Sequence, residues 1–358
     1  MTAAEHLYTI QLLGMGEDVR ILDQVHLPHA LEFRDLKTFE EAAEAIAVMR
    51  VRGAPLIGAT AASGMALAAR VDASDEALAS AAQVLRDTRP TAVNLGWALD
   101  RSMKCMLEVP VEDRVKVAYQ EAASVIREDA MANQAIGQHG LNLVKQLSEV
   151  KEGKPVNILT HCNAGWLATT HLGTATAPIY LAHREGIPVH VWVDETRPRS
   201  QGAALTAWEL HREGVPCSVI ADNAGGLLIQ RGEVDMVITG ADRVAANGDV
   251  CNKIGTYLKA LAAAAAEVPF CVAVPTSTID ADMPGGDDIP IEERDDQEVL
   301  TATGLAEDGS VQTVRTAAEG VPGCNPAFDI TPAELVTVLV TECGLIKPGH
   351  AGDLVSSE

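Results

Sequence analysis

Five short apolar runs in the second half of the chain constrain its fold more than any other feature. They fall at 156–160, 188–193, 217–221, 236–239 and 270–274. Helical periodicity fills the gaps between them, near 177–185, 205–213, 224–231 and 253–266. Apolar strands that alternate with helices predict βαβ units and a parallel sheet covered on both faces. Such a sheet opens its ligand crevice at the carboxyl ends of its strands. Those ends are polar here: His161-Cys162-Asn163, then Asp194-Glu195-Thr196-Arg197, Asp222-Asn223, Asp242-Arg243 and Thr276-Ser277-Thr278. Any one of them is ordinary turn chemistry. Together they point to a site.

The first half reads differently. Residues 19–36 alternate well enough for two short strands around Leu27-Pro28. Thr38 with Glu41 three residues on predicts a capped helix over 39–49. Helices are expected at 59–71, 75–86, 94–107 and 111–147, the last interrupted near Gly137 and Gly140, and 50–58 reads as a Gly/Pro break. The character changes at Glu152-Gly153-Lys154-Pro155. The expected organisation is therefore a mostly helical domain over 1–152 with a short β-hairpin, then a parallel-sheet α/β domain over 153–358. Residues 290–321 read as irregular and charged, and 332–341 as a closing helix.

Composition excludes several functions. Asp+Glu 50 against Lys+Arg 27 gives a net charge of −23, which opposes nucleic acid and anionic membranes. The same excess suits a protein adapted to high salt. Seven scattered cysteines without a C-x-x-C pair read as cytoplasmic thiols, with no disulfide framework and no metal site. The N-terminal M-T-A-A-E-H-L-Y lacks the basic and apolar regions of a signal peptide. The apolar run at 258–266 is too short to cross a bilayer. With no G-x-G-x-x-G and no Walker A motif, no nucleotide cofactor is expected.

Within the strand ends, Cys162 is either a small buried hydrophobe or a functional thiol. Its place between a strand and an expected helix start favours a lowered thiol pKa. Asp242 serves as a helix cap, as a partner for Arg243, or as a general acid. Asn252-Lys253 is expected to open a helix, where anions bind well. Arg52-Gly53-Ala54 and Arg89 supply guanidinium forks that match phosphate, and Gly53 lets the backbone approach a ligand.

Several of these segments are long enough to carry a resemblance. R-G-A-P-L-I-G at 52–58, R-P-T-A-V-N-L at 89–95, T-H-C-N-A-G at 160–165 and D-E-T-R-P-R-S-Q-G at 194–202 resemble the methylthioribose-1-phosphate isomerase family. So do L-T-A-W-E-L at 205–210, G-A-D-R-V-A-A-N-G-D at 240–249, N-K-I-G-T-Y at 252–257, I-P-I-E-E-R at 289–294 and N-P-A-F-D at 325–329. That family is related to the regulatory subunits of initiation factor 2B and to ribose-1,5-bisphosphate isomerase. The resemblance implies a small N-terminal domain, a Rossmann-like C-terminal domain and a homodimer. It also implies aldose-to-ketose isomerisation of 5-methylthioribose 1-phosphate in methionine salvage, without a cofactor. Asp242 would be the proton donor and Cys162 the second catalytic group. Arg52, Gly53, Ala54, Arg89, Gln201, Asn252 and Lys253 would hold the sugar phosphate. Gly96, before Trp97, stands where a larger residue is expected, which would loosen the wall around the sugar's 5-substituent. The alternatives that the resemblance leaves are a ribose-bisphosphate isomerase and a non-catalytic regulatory subunit.

Overall fold

The computed structural model describes residues 7–89 and 92–355. Pro90 and Thr91 of the Arg89 turn, and the first six residues of the segment read for a leader, lie outside the described residues. Strands β1 (Ile10–Leu12), β2 (Val19–Asp23) and β3 (Glu32–Leu36) form an antiparallel sheet in that order. The expected pair is β2 and β3. The additional strand, β1, is three residues long and too short to show a period of two. Helix α1 (Phe39–Ala47) begins at Thr38, whose hydroxyl accepts from Glu41 N at 3.3 Å.

Helices α2 (Ala54–Val71), α3 (Asp75–Asp87), α4 (Val93–Leu107) and α5 (Val111–Glu149) follow. The Gly/Pro segment expected as a break is in fact the start of α2. Gly53 caps it at φ 93° and Pro55 sits in its first turn, where a missing N–H costs nothing. α2 is long and apolar enough to cross a membrane, but it is buried here among α1, α4 and α5 as a core helix. α5 runs unbroken through Gly137 and Gly140. A side chain at Gly137 would stand 2.9 Å from Leu181 Cδ1, and one at Gly140 2.9 Å from Pro178 Cβ. Close helix packing therefore accounts for both glycines. At 39 residues, α5 is about 58 Å long. Its first half packs Ala118, Tyr119 and Val125 into the helical core, and its second half packs Ile136, Leu141 and Val144 onto the large sheet.

The second half alternates β4 (Val156–Thr160), α6 (Ala177–Arg184), β5 (Val189–Asp194), α7 (Ala207–Arg212), β6 (Cys217–Ile220), α8 (Ala224–Gln230) and β7 (Met236–Thr239). A hairpin, β8 (Arg243–Ala245) and β9 (Val250–Lys253), precedes α9 (Thr256–Ala265) and β10 (Phe270–Ala273). Then come β11 (Ile279–Asp280), α10 (Gln297–Leu300), β12 (Thr301–Leu305), β13 (Val311–Arg315), β14 (Phe328–Thr331), β15 (Val338–Thr341), β16 (Gly344–Ile346) and α11 (Ala351–Val355).

The large sheet has the order β16-β15-β10-β7-β4-β5-β6 and is parallel except for β16. Ile158 and Ile238 face α5, α6 and α7, while Leu159 and Val237 face α8 and α9. Burial on both faces explains why the strands read as continuous apolar runs. The chain moves outward from β4 through β5 to β6, then returns to lay β7 against the other side of β4. The strand order therefore reverses between β4 and β7, and a crevice opens at their carboxyl ends.

Four expectations fail in this half. Asn252 and Lys253 end strand β9, because the turn at 246–249 folds 243–253 into a hairpin, and α9 begins only after Gly255 at φ 104°. The expected closing helix is instead a 3-10 turn at Ala333–Leu335 followed by β15, whose V-L-V-T run is rich in β-branched residues and pairs with β10. The irregular segment contains the hairpin β12/β13, whose outward Val and Thr side chains are exposed and gave no apolar signal. The helix expected from Leu205 also starts earlier, as a π-helical turn over Gly202–Thr206.

Candidate active site

Each side of the crevice contributes one reactive side chain. Cys162 lies just beyond β4 and Asp242 just beyond β7, the two neighbours at the reversal. Both line one narrow cleft together with Arg52, Gly53, Ala54, Asn163 and Asn252. The first N–H groups of the 18-residue helix α2 and the Arg52 guanidinium meet at this cleft, which is the arrangement that binds an anion. A second small hollow adjoins it. Ala54 and Asp242 line both, and Arg89, Cys251, Ile289 and Phe328 line only the second.

Two expected residues line neither space. Lys253 is buried, donating its Nζ to Ala327 O at 2.8 Å with the Phe328 ring centroid at 4.4 Å. Burial pushes its ammonium below the ordinary value, while Cys162 and Asp242 act to raise it. Gln201 is buried at the start of the π-helical turn, and its Oε1 has no hydrogen-bond partner among the described residues. Arg89 donates to Glu292 at 3.3 Å. Gly96 does not face either space: a side chain there would meet only Arg86 Nη1, at 3.1 Å. The loosened pocket wall expected from Gly96 is therefore not found.

Cys162 is held in a left-handed backbone conformation, φ 65°, which costs a non-glycine residue about 1–3 kcal/mol. Two threonines clamp it. Its N–H donates to Thr196 Oγ1 at 2.9 Å, and its carbonyl accepts from Thr206 Oγ1 at 2.6 Å. The expectation of a lowered thiol pKa fails. No α-helix starts here, only a single 3-10 turn at Trp166–Ala168. Burial raises the thiol above its ordinary value, outweighing Arg52 and Lys253, with Asp242 adding to the rise.

The other polar strand ends are scaffolding. Asp222 accepts from Thr196 N and Arg197 N at 2.7 and 2.8 Å. Asp249 accepts from Gly286 N and Ala333 N, and Asn247 pairs with Asp249. Arg243 pairs with Asp280 at 3.1 Å. His161 bridges Asp194 and the Ile254 carbonyl, both at 2.8 Å. His161, Asp194 and Asp222 are close enough to hold a metal ion, but Lys259 Nζ already sits 3.0 Å from Asp194. A cation is thus supplied by the chain itself.

Glu209 is the residue that motif reading missed. It is fully buried and accepts four hydrogen bonds, one of them from Asn163 in the wall of the cleft. Its signal in the sequence is only its place in the L-T-A-W-E-L segment at 205–210.

Residues 50–348 match the sequence pattern of the Initiation factor 2 subunit family. The chain belongs to the Initiation factor 2 subunit family. Within it, the chain is 55% identical to a methylthioribose-1-phosphate isomerase of Brucella anthropi over 349 residues, covering 97% of this chain and 96% of that protein. It is 56% identical to the protein of the same name from Rhodospirillum centenum over 348 residues, 97% of this chain and 93% of that one. Among solved structures of the family, the 5-methylthioribose 1-phosphate isomerase from Pyrococcus horikoshii OT3 superposes with a TM-score of 0.83 at 41% identity, covering 99% of this chain and 96% of that one. A structure titled translation initiation factor eIF-2B, subunit delta, from A. fulgidus superposes at 0.78 with 38% identity, 96% of each chain being covered.

Proposed function

We propose that this chain is an aldose–ketose isomerase that converts 5-methylthioribose 1-phosphate to 5-methylthioribulose 1-phosphate, a step of methionine salvage. One observation carries the reading: Cys162 and Asp242 face one cleft beside a helix N-terminus and Arg52, in a chain 55% identical to isomerases of that name. The cleft requires no cofactor for this chemistry. With phosphate on the C1 oxygen, the sugar ring cannot open by loss of an anomeric proton. Asp242 protonates the ring oxygen, the bond from that oxygen to C1 breaks, and C1 is left electron-deficient. Hydrogen then moves from C2 to C1 while the C2 hydroxyl loses its proton, which returns to the Asp242 carboxylate. The raised thiol of Cys162 supports a role as a neutral polar wall beside C1 and C2 over a role as a base. Arg52 with the Gly53-Ala54 backbone holds the phosphate, and Asn252 a sugar hydroxyl. Arg89 reaches the phosphate from the adjoining hollow by exchanging Glu292 for it. Lys253 contributes its field from its buried place on β9.

Turnover of substrate deuterated at C2, with Asp242→Asn and Cys162→Ser as controls, tests this reading. Loss of turnover by roughly a hundredfold or more is expected in Asp242→Asn, and a smaller loss in Cys162→Ser, which keeps a neutral polar group at the wall. Wild-type-like turnover in both would refute the assignment, and deuterium washed out to solvent would refute direct C2-to-C1 transfer. The relative titled as an initiation factor subunit keeps a regulatory role in view, and turnover itself excludes a purely regulatory role. Ribose 1,5-bisphosphate, assayed in parallel, tests the other sugar phosphate.

The same proposal includes a helical domain over 1–152 and a Rossmann-like catalytic domain over 153–358, a homodimer and a cytoplasmic address. The net charge of −23 supports adaptation to salt, which unfolding in low and molar salt would test. Light scattering reads the oligomeric state.

A further inference from the structure

Glu209 lies outside the cleft, yet its bonds lead into it. A carboxylate removed from water costs several kcal/mol unless it is fully hydrogen-bonded. Here Oε1 accepts from Asn163 Nδ2 and Leu167 N, each at 2.9 Å. Oε2 accepts from Trp166 N at 2.9 Å and Tyr180 Oη at 2.8 Å. Burial pushes the carboxyl up to about 7, while the bonds from Asn163, Leu167 and Tyr180 and the nearby Arg52 favour the ionised form. Three of the four donors belong to residues 163–167, the segment that follows Cys162.

The Asn163 bond sets an orientation. With its Nδ2 drawn to Glu209 and to Thr206 Oγ1 at 3.1 Å, the amide must turn Oδ1 the other way. Oδ1 receives Arg52 Nη1, and the Asn163 carbonyl receives Arg52 Nη2 at 2.9 Å. One residue thus grips two nitrogens of the guanidinium and leaves its other donors for a ligand in the cleft. Without Glu209 only the longer Thr206 bond holds this orientation, and a flipped amide would present its NH₂ donors to a cation. Gly165 confirms how tightly the carboxylate is placed: a side chain there would stand 2.5 Å from Glu209 Cδ.

We propose that Glu209 is a positioning residue for the anion-binding guanidinium of Arg52, acting through the Asn163 amide. The inference rests on the reading of the cleft as a sugar-phosphate site. It makes Glu209 a residue of substrate affinity and not of the chemical step.

A double-mutant cycle tests it. Glu209→Gln keeps the volume and removes the charge. KM for 5-methylthioribose 1-phosphate is expected to rise roughly tenfold to a hundredfold, with kcat within about threefold, as for lost binding shared by ground and transition states. In an Arg52→Ala background the same change should add less than about twofold. Glu209→Asp, which keeps the charge, should recover part of the loss. An unchanged KM in folded Glu209→Gln overturns the proposal. So does an effect that multiplies fully in the Arg52→Ala background, because it would show that Glu209 acts only on the fold. If Glu209→Gln does not fold, Asn163→Ala cuts the relay at its middle and enters the cycle in its place. Failure of wild-type turnover would sink the functional reading alone. The cycle is then read as calorimetric binding of inorganic phosphate, with the same pattern expected and the same pattern refuting it.

Discussion

Gly165→Ala isolates the packing of the Glu209 carboxylate against the cleft wall. The backbone of Gly165, at φ −91° and ψ −168°, is open to alanine, so no conformational penalty enters. The whole cost is collision. The new methyl would overlap Glu209 Oε2 and lie 2.5 Å from Cδ and 2.8 Å from Oε1, against an ordinary contact of about 3.5–4.0 Å. Relief requires a shift of roughly 1.5 Å. Four hydrogen bonds of 2.8–2.9 Å hold the carboxylate in place, and a shift of that size breaks about two of them. Hydrogen bonds to a charged group are worth about 1.5–3 kcal/mol each, which sets the destabilisation at about 3–6 kcal/mol. For a chain of this length the melting midpoint falls by roughly 4–8 °C. Circular dichroism reads the midpoint, and Gly165→Ala/Glu209→Asp, which withdraws the carboxylate by one methylene, should regain part of it. A Gly165→Ala protein melting within about 1 °C of wild type would refute the reasoning, since the carboxylate would then not be packed against Gly165.

Three further expectations concern other parts of the site and its surroundings. Gly53→Ala puts a side chain at φ 93° and sets it 2.5 Å from Ala168 Cβ and 2.6 Å from its Cα, so a loss of about 2–4 kcal/mol and a raised KM are expected in denaturant and kinetic assays. Gly96→Ala, inside α4 and meeting only the mobile end of Arg86, should stabilise by about 0.5–1 kcal/mol with KM unchanged, and a changed preference at the sugar's 5-position would contradict the placement of Gly96. Burial acts to raise the Glu298 carboxyl, but hydrogen bonds from Arg294, Arg199 and Asn325 bring it down to about 2, below the unfolded value near 4.3. Its stabilisation, about 3 kcal/mol, is therefore present above that unfolded value and lost as pH falls toward 2. In urea unfolding across that window, Glu298→Gln should flatten the acid limb, and an unchanged slope would contradict the ion-pair account.

The parts of this architecture that depend on neighbours in sequence were legible. The strands 156–160 and 236–239 were read at their observed bounds, because a run of buried apolar residues ending in His161 or Gly240 is a local signal. What was not legible depends on pairing across the chain. The N-G-D turn at 247–249 was quoted as a motif, but its consequence, a hairpin that carries Lys253 onto a strand beneath the cleft and not onto a helix end, follows only once β9 pairs with β8 and β14. Cys162 was likewise read from its neighbours as an activated thiol. Its state is set instead by long-range burial that outweighs two nearby cations. Glu209 is the sharpest case. Its role lies in bonds to residues 163, 166, 167 and 180, which no periodicity in 205–210 reveals. The strand ends name the reactive groups, but the order of β7 beside β4 is what brings Asp242 and Cys162 to one cleft, and a buried carboxylate behind it is what aims Arg52. A substitution that spares every strand-end residue can therefore still disable binding, provided that it disturbs the Glu209 relay.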